Sequence, residues 1–243
     1  MKTICDLSAT SAPRRAASGW HPGWLFRDGA QGAWFDPTDA TSLFQDANGT
    51  TPVLNDGDPV GLMMDISGNG NHATQSTSAA RPSWRTDGNL CWLEFDGADD
   101  KLVIAPIAYS GSEFGLSIGL RHEPGDTKFG AWRALHVDGV YLGLSQPTSP
   151  GAIQNISGQL SVDGAAAPAT RSGLRSQLLS PAVGIATGVP VSAFAGSNWQ
   201  FGGYSVPAAP ACRVYGYLES EALMPATRSH TRRWMAQKSG APV

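Results

Sequence analysis

The stretch Cys91-Trp92-Leu93-Glu94-Phe95-Asp96, continued by Gly97-Ala98-Asp99-Asp100 and then Lys101-Leu102-Val103-Ile104, carries the main signal for the fold. In its first part, polar and apolar residues alternate, so that Trp92, Glu94 and Asp96 share one side of an extended chain. The Asp-Gly turn and the second apolar run then predict an antiparallel hairpin. The stretch therefore indicates a β-protein.

Candidate strands and turn formers of the same kind recur along most of the chain, at the spacing of a sandwich. They predict an all-β fold with two antiparallel sheets. The candidates outside the opening stretch are Val60–Asp65, Phe114–Leu120, Ala131–Val137, Val140–Leu144, Gln159–Val162, Leu178–Leu179 with Val183–Ile185, Val191–Phe194, Trp199–Phe201 and Cys212–Leu218.

Composition supports this fold class and excludes several functions. Charged residues make up 15% of the 243-residue chain, whereas about 25% is typical, so exposed helical surface is scarce. The formal net charge is −3, with no stripe of Lys or Arg, and duplex nucleic acid is therefore not expected as a partner. Apolar runs such as Leu102–Ala108 are too short to span a bilayer, and no secretory signal is visible, so we expect neither membrane insertion nor export by that route.

The chain divides into an N-terminal arm and one large domain. Residues 1–29 are predicted to be an arm or attachment segment, and residues 30–243 the sandwich. A C-terminal helix is predicted over 225–238, ended by Ser239-Gly240. The Gly, Pro, Ala and Ser-rich stretch 145–175 is compatible with a long loop or with an edge hairpin.

Several segments, taken in order, resemble a known family. They are Gly32–Thr38, Leu43–Val53, Gly57–Gly61, the loop Asp65–Ala73, Arg81-Pro82, Trp92–Asp100 and the Arg-rich helix ending at Lys238-Ser239-Gly240. This series resembles the laminin-G-like, concanavalin A-like domains of bacteriophage tail-fibre, spike and other virion proteins, and related proteins of gene transfer agents. The resemblance covers residues 30–105 best and 212–240 less closely, and it implies a jelly-roll sandwich.

The Asp65–Ala73 loop carries the densest set of polar residues in that series. Asp65, Asn69, Asn71 and His72 could ligate a sugar or a cation. Because Asn and Asp commonly bond to nearby backbone, we favour a structural role in which these side chains tie the loop down.

The turn after the opening strand holds three carboxylates, on Asp96, Asp99 and Asp100. Calcium prefers several oxygen ligands, and many laminin-G-like domains bind it. A solvated turn is the alternative that we favour, so we expect no cofactor, and calcium at these three residues stays open.

Catalysis is not expected. Retaining glycosidases need two carboxyl groups about 5–5.5 Å apart, and only Glu219 with Glu221, or Glu94 with Asp96, has the spacing that places two acids on one side of a strand. No Gly-x-Ser-x-Gly elbow, phosphate loop or dinucleotide fingerprint occurs in the sequence.

Aromatic residues provide the binding hypothesis. Sugar rings stack on Trp and Tyr, and Arg can bond to their polar edges. In the second half of the chain, the residues predicted to line a glycan groove are Trp132, Arg133, Tyr141, Trp199 and Tyr204. Packing in the core or between subunits is the alternative for these rings.

The sequence thus predicts a non-enzymatic virion protein of a phage-like particle, in a tail fibre, spike or head fibre, assembled in the bacterial cytoplasm. Its expected partners are other virion proteins, copies of itself (as a trimer, by analogy with such fibres) and a host-surface polysaccharide. The alternatives are an assembly protein without any ligand and, less favoured, a polysaccharide hydrolase.

Overall fold

A computed structural model describes residues 19–126, 128, 133–135, 141–142, 159–193, 198–201 and 210–243. Within these ranges the chain forms two antiparallel sheets and a C-terminal helix. The all-β prediction is therefore confirmed, and the jelly-roll connectivity stays a prediction. In chain order, the described strands are β1 (Gly32–Phe35), β2 (Leu43–Phe44), β3 (Leu62–Met63), β4 (Ala73–Thr74), β5 (Ser83–Thr86), β6 (Cys91–Asp96), β7 (Leu102–Ile104), β8 (Glu113–His122), β9 (Arg133–Leu135), β10 (Tyr141–Leu142), β11 (Gln159–Val162), β12 (Ala165–Ala166), β13 (Ala182–Pro190), β14 (Trp199–Phe201) and β15 (Ala211–Ser220).

The first sheet is centred on the two longest strands, β8 and β15. Its order is β12-β11-β13-β8-β15-β6-β5, and β1 pairs with the second half of β15 beyond the end of β6. The second sheet has the order β10-β9-β14-β7-β4-β3-β2. Because β15 is flanked on both sides along its length, it is the best-connected strand of the described chain.

The predicted hairpin at residues 91–104 is wrong. Both strands exist, but β6 pairs with β5 and β15 in the first sheet, whereas β7 pairs with β4 and β14 in the second. The turn at 96–100 therefore carries the chain from one layer to the other. An Asp-Gly turn indicates where the chain bends, but it does not determine which strand becomes the partner.

The main core lies between the two sheets. Leu93, Leu116 and Val214 from the first sheet, and Met63 and Ile104 from the second, belong to one buried cluster. Alternation explains this composition, because every second residue of β6, β8 and β15 points toward the other layer. The outer face of the first sheet is consequently free to accept a second layer.

The C-terminal helix covers part of that outer face. A 3₁₀ turn over Pro225–Thr227 leads into α2 (Arg228–Ser239), which Gly240 ends at φ 72°. Met235 is fully buried against the sheet, and a Cβ placed on Gly119 would lie 3.0 Å from its sulfur. The glycine in β8 thus permits the close approach of the helix, and the predicted helix and its end are confirmed.

The segment before β1 packs beside α2. A 3₁₀ helix over Pro22–Gly29 buries Leu25 in the same outer cluster as Leu218 and Met235. The Ser220 hydroxyl donates a 3.1 Å hydrogen bond to the carbonyl of Leu25. Residues 22–29 therefore form part of the outer layer, while residues 1–18 lie outside the described chain.

Two predicted strands were wrong in type. Leu178–Leu179 is not a strand but follows a helix, α1 (Arg171–Gln177), whose cap is Thr170. Val191–Ala193 forms a 3₁₀ helix in place of the predicted strand. In the segment after β1, Asp39 caps the short 3₁₀ helix Ala40–Ser42. The stretch 145–175 contains β11, β12 and the start of α1, with residues 145–158 outside the described chain.

Candidate functional site

Asp65 accepts the hydrogen bonds that hold the loop between β3 and β4 in place. It is 6% exposed. One carboxylate oxygen accepts hydrogen bonds from the backbone N–H groups of Trp34 and Ser67, both at 2.9 Å. The other accepts from the Ser67 hydroxyl at 2.8 Å and from the Asn71 N–H at 2.9 Å. All four donors belong to the loop itself or to β1, so the carboxylate fastens the loop to the sheet.

The other polar residues of this loop make similar contacts. The Asn69 amide donates to the carbonyls of Ala30 and Gly32, both at 3.1 Å, and the Asn71 amide donates to Gly32 at 2.7 Å. The Nδ1 atom of His72 accepts from the Asp65 N–H at 3.0 Å. These amide and imidazole atoms bond to backbone, as a loop-structuring role requires, and a ligand would have to displace those contacts.

The three carboxylates of the crossover turn lie together. Ligand oxygens of Asp96, Asp99 and Asp100 are all within 4.8 Å of one another. The Asp100 carboxylate accepts the Asp96 N–H at 2.9 Å and is 4% exposed. Burial raises the pKa of Asp100 to about 6, and the charges of Asp96 and Asp99 add to the rise in pKa, while the hydrogen bond from the Asp96 N–H opposes it. The geometry would admit a calcium ion or, equally, a shared proton.

The acids of the pair Glu219 and Glu221 are both held by neighbouring groups of the fold. Glu219 is fully buried, and its two oxygens accept from the hydroxyls of Tyr109 and Tyr217 at 2.7 Å each. Glu221 accepts from the N–H groups of Gln31, at 2.8 Å, and Gly111, at 3.0 Å. Although burial opposes the change, these hydrogen bonds lower the pKa of Glu221, whereas a general acid needs a raised pKa.

Glu94 lies in an ion-pair row on the outer face of the first sheet. Cross-strand register sets it opposite Arg213, which is itself opposite Arg121. Glu94 lies 3.5 Å from Arg213 and 3.7 Å from Arg85, and it accepts the Trp92 indole N–H at 3.3 Å. The like charges of Arg121 and Arg213 are bridged by Glu123, at 3.1 Å and 2.8 Å. Glu94 is thus paired with arginines from the two neighbouring strands, β5 and β15.

Three of the five predicted glycan residues lie on strands at one edge of the second sheet. Arg133, Tyr141 and Trp199 lie on β9, β10 and β14, three neighbouring strands. Tyr141 pairs with Ala134, and Trp199 pairs with Leu135 and Ile104. The sheet therefore brings three of the five positions to adjacent strands, while Trp132 and Tyr204 lie outside the described residues.

A second surface with aromatic and basic residues was not predicted from the sequence. Trp20 stacks on His230 of α2 with ring centroids 6.1 Å apart, and Trp34 meets Trp234 edge-on at 5.8 Å. The contacts join residues about 200 positions apart, so no local pattern could reveal them. The sequence signals for this surface are the tryptophans of residues 20–34 and the lack of acidic residues in 228–239.

Comparisons with known proteins give no further assignment. No family model, curated protein or solved structure matches this chain. In the part of the chain that the structure describes, no helix has the length and apolar character needed to cross a membrane.

Proposed function

We propose that this protein is a non-enzymatic structural component of a phage-like particle, in a tail fibre, spike or head fibre, and that its sandwich binds a host-surface polysaccharide. The virion setting rests on the sequence resemblance of residues 30–105 and 212–240. Homo-oligomerisation and contact with other virion proteins belong to the same proposal.

One observation carries the non-enzymatic part. The three glutamates of the two candidate acid pairs are engaged in the scaffold: Glu219 by two tyrosine hydroxyls, Glu221 by backbone N–H groups and Glu94 by two arginines. Hydrolysis needs one carboxyl group that keeps its proton near neutral pH and a second that reaches the sugar. The lowered pKa of Glu221 does not meet the first requirement, and the fully buried Glu219 does not meet the second.

The full chain is therefore expected to release no reducing ends from host-surface polysaccharide, measured by a reducing-sugar assay over hours. Glu94→Gln should behave like the wild-type chain, because Glu94 is held by Arg85 and Arg213 and not by substrate. Measurable release that disappears in Glu94→Gln or Glu219→Gln would establish a hydrolase.

Glycan binding is tested separately on the edge formed by β9, β10 and β14. On a glycan array, Trp199→Ala and Tyr141→Ala should each weaken binding about tenfold, because ring stacking on a sugar is lost. Leu54→Ala is the control, since Leu54 is 52% exposed and follows β2 at the opposite edge of the same sheet.

Two outcomes separate the alternatives. If the chain binds no glycan at high concentration but is still incorporated into particles, it is an assembly protein without a ligand. If antibody labelling of purified particles finds no chain, the virion proposal is wrong.

A further inference from the structure

The segment before β1 and helix α2 form one continuous surface outside the first sheet. The Trp20 ring lies parallel to His230, with an interplanar angle of 16°. His21 meets Trp34 at 5.2 Å, and Trp34 meets Trp234 at 5.8 Å. The row of rings therefore runs from the N-terminal segment across β1 to the helix.

Part of this row is open to solvent, and so is the adjoining Trp24, whose backbone N–H donates to the carbonyl of His21 at 2.9 Å. Trp24 is 42% exposed, and the Arg27 guanidinium lies over its ring at 4.7 Å. His21, His230 and Arg233 are exposed as well. An exposed indole beside a guanidinium offers both an apolar ring face and a cation to a ligand.

The charge of this surface opposes that of the chain. Helix α2 carries Arg228, Arg232, Arg233 and Lys238 and no acidic residue, although the whole chain has a net charge of −3. Lys238 is paired with Asp36 at 2.8 Å. Arg228 donates to the Thr187 hydroxyl at 2.9 Å, and the Arg232 guanidinium lies against Gly164. Arg233, together with Arg27 of the preceding segment, is exposed to solvent.

Acidic charge is densest outside this surface, although Asp28 lies in the segment before β1 and Asp36 is paired with Lys238. Residues 30–80 contain six aspartates and no lysine or arginine, and they form β1 to β4 with their loops. A polyanion approaching the protein is therefore repelled by that region and attracted by α2 and the segment beside it.

We propose that the aromatic–arginine face, made of Trp20, His21, Trp24, Arg27, His230 and Arg233, binds an acidic polysaccharide whose sugars carry carboxylates. This inference rests on the proposed polysaccharide-binding function and adds a surface and a ligand class. A uronate-type sugar joins a C–H face to a carboxylate within one ring. The face of an indole ring can stack on the C–H face of the sugar, and the planar guanidinium of arginine can bind its carboxylate.

The test measures binding of the full chain to polygalacturonate, neutral dextran and polyaspartate at fixed ionic strength. We expect binding of polygalacturonate, at least tenfold weaker binding of dextran and a fall in affinity as salt is raised. Trp24→Ala should weaken polygalacturonate binding about tenfold, and Arg233→Gln and Arg27→Gln several-fold each. Arg85→Gln, on β5, is the matched control and should leave binding unchanged.

Two results would overturn the inference. One is the absence of polygalacturonate binding. The other is equal binding of polyaspartate with no effect of Trp24→Ala, which would make the face a docking site for an acidic protein segment. Incorporation of the chain into particles, scored in parallel, decides the proposed virion role independently of either result.

Discussion

Replacing Asp65 with alanine is expected to lower the free energy of unfolding by about 4 kcal/mol, measured by chemical denaturation at pH 7. The substitution removes the acceptor of four hydrogen bonds at a side chain that is 6% exposed. The buried N–H of Trp34 and the half-buried N–H of Asn71 lose their partner, and each unsatisfied group costs about 1–3 kcal/mol. The loop 66–72 should then detach from β1.

Two further variants make this prediction specific. Asp65→Asn keeps one oxygen for Trp34 and Ser67 but turns an amide toward the Asn71 N–H, so about half of the loss is expected. Asp46→Ala is the matched control, because the Asp46 carboxylate also accepts from several backbone N–H groups, those of Asn48, Thr50 and Thr51, but in an exposed loop. A full loss for Asp46→Ala with little change for Asp65→Ala would reverse our assignment.

The same loop shows which structural features can be predicted from the local sequence. The Gly and Asn content of residues 65–73 indicated a tightly folded loop, and the structure supplies the partner that the sequence could not, the carbonyls of Ala30 and Gly32. Asx bonding is local and therefore visible in a sequence. Which strand accepts the loop depends on the packing of the two sheets.

Strands were predicted more reliably than their pairing. The alternation of residues 91–96 matches β6 residue for residue, but the turn that follows crosses to the other sheet. The pairing of β6 with β15 joins residues more than 100 positions apart, and no local signal carries such information. Helix α1 was missed because Gly173 lies in its first turns and its seven residues are too few to show a period.

For the candidate sites too, the sequence predicted the positions of residues better than their contacts. The acid pair at 219 and 221 has the spacing of a catalytic pair, yet the fold directs Glu219 to Tyr109 and Tyr217 inside the core. Spacing along a strand determines the face, but the surroundings of that face decide whether a carboxylate meets substrate or a buried hydroxyl.

Asp100 should contribute less to the stability of the folded chain at neutral pH than in mild acid. Its pKa is raised from 3.8 to about 6 in the folded chain, chiefly because burial disfavours the carboxylate. The folded state therefore holds a proton that the unfolded state releases. This stabilising contribution is complete below about pH 4, falls as the pH rises and is lost above about pH 6, with a total of about 3 kcal/mol.

Asp100→Asn should accordingly raise the free energy of unfolding by up to about 3 kcal/mol at pH 7.5 and leave it nearly unchanged at pH 4, in urea titrations at both values. An asparagine carbonyl still accepts the Asp96 N–H, and its amide replaces the proton that a neutral Asp100 holds. Asp99→Asn, at a more exposed position, is the control and should change stability much less at either pH.

If calcium binds at this turn, the effect of Asp100→Asn on the free energy of unfolding should change sign. If the three carboxylates hold an ion, millimolar calcium will raise the melting temperature of the wild-type chain, because binding to the folded state adds to its stability. Asp100→Asn would then remove a ligand and be the less stable protein in calcium at pH 7.5. The charge of a buried Asp100 beside Asp96 and Asp99 can be neutralised either by a bound cation or by protonation. If the wild-type chain is unaffected by calcium and less stable than Asp100→Asn, the turn is a carboxyl cluster that binds a proton and not calcium.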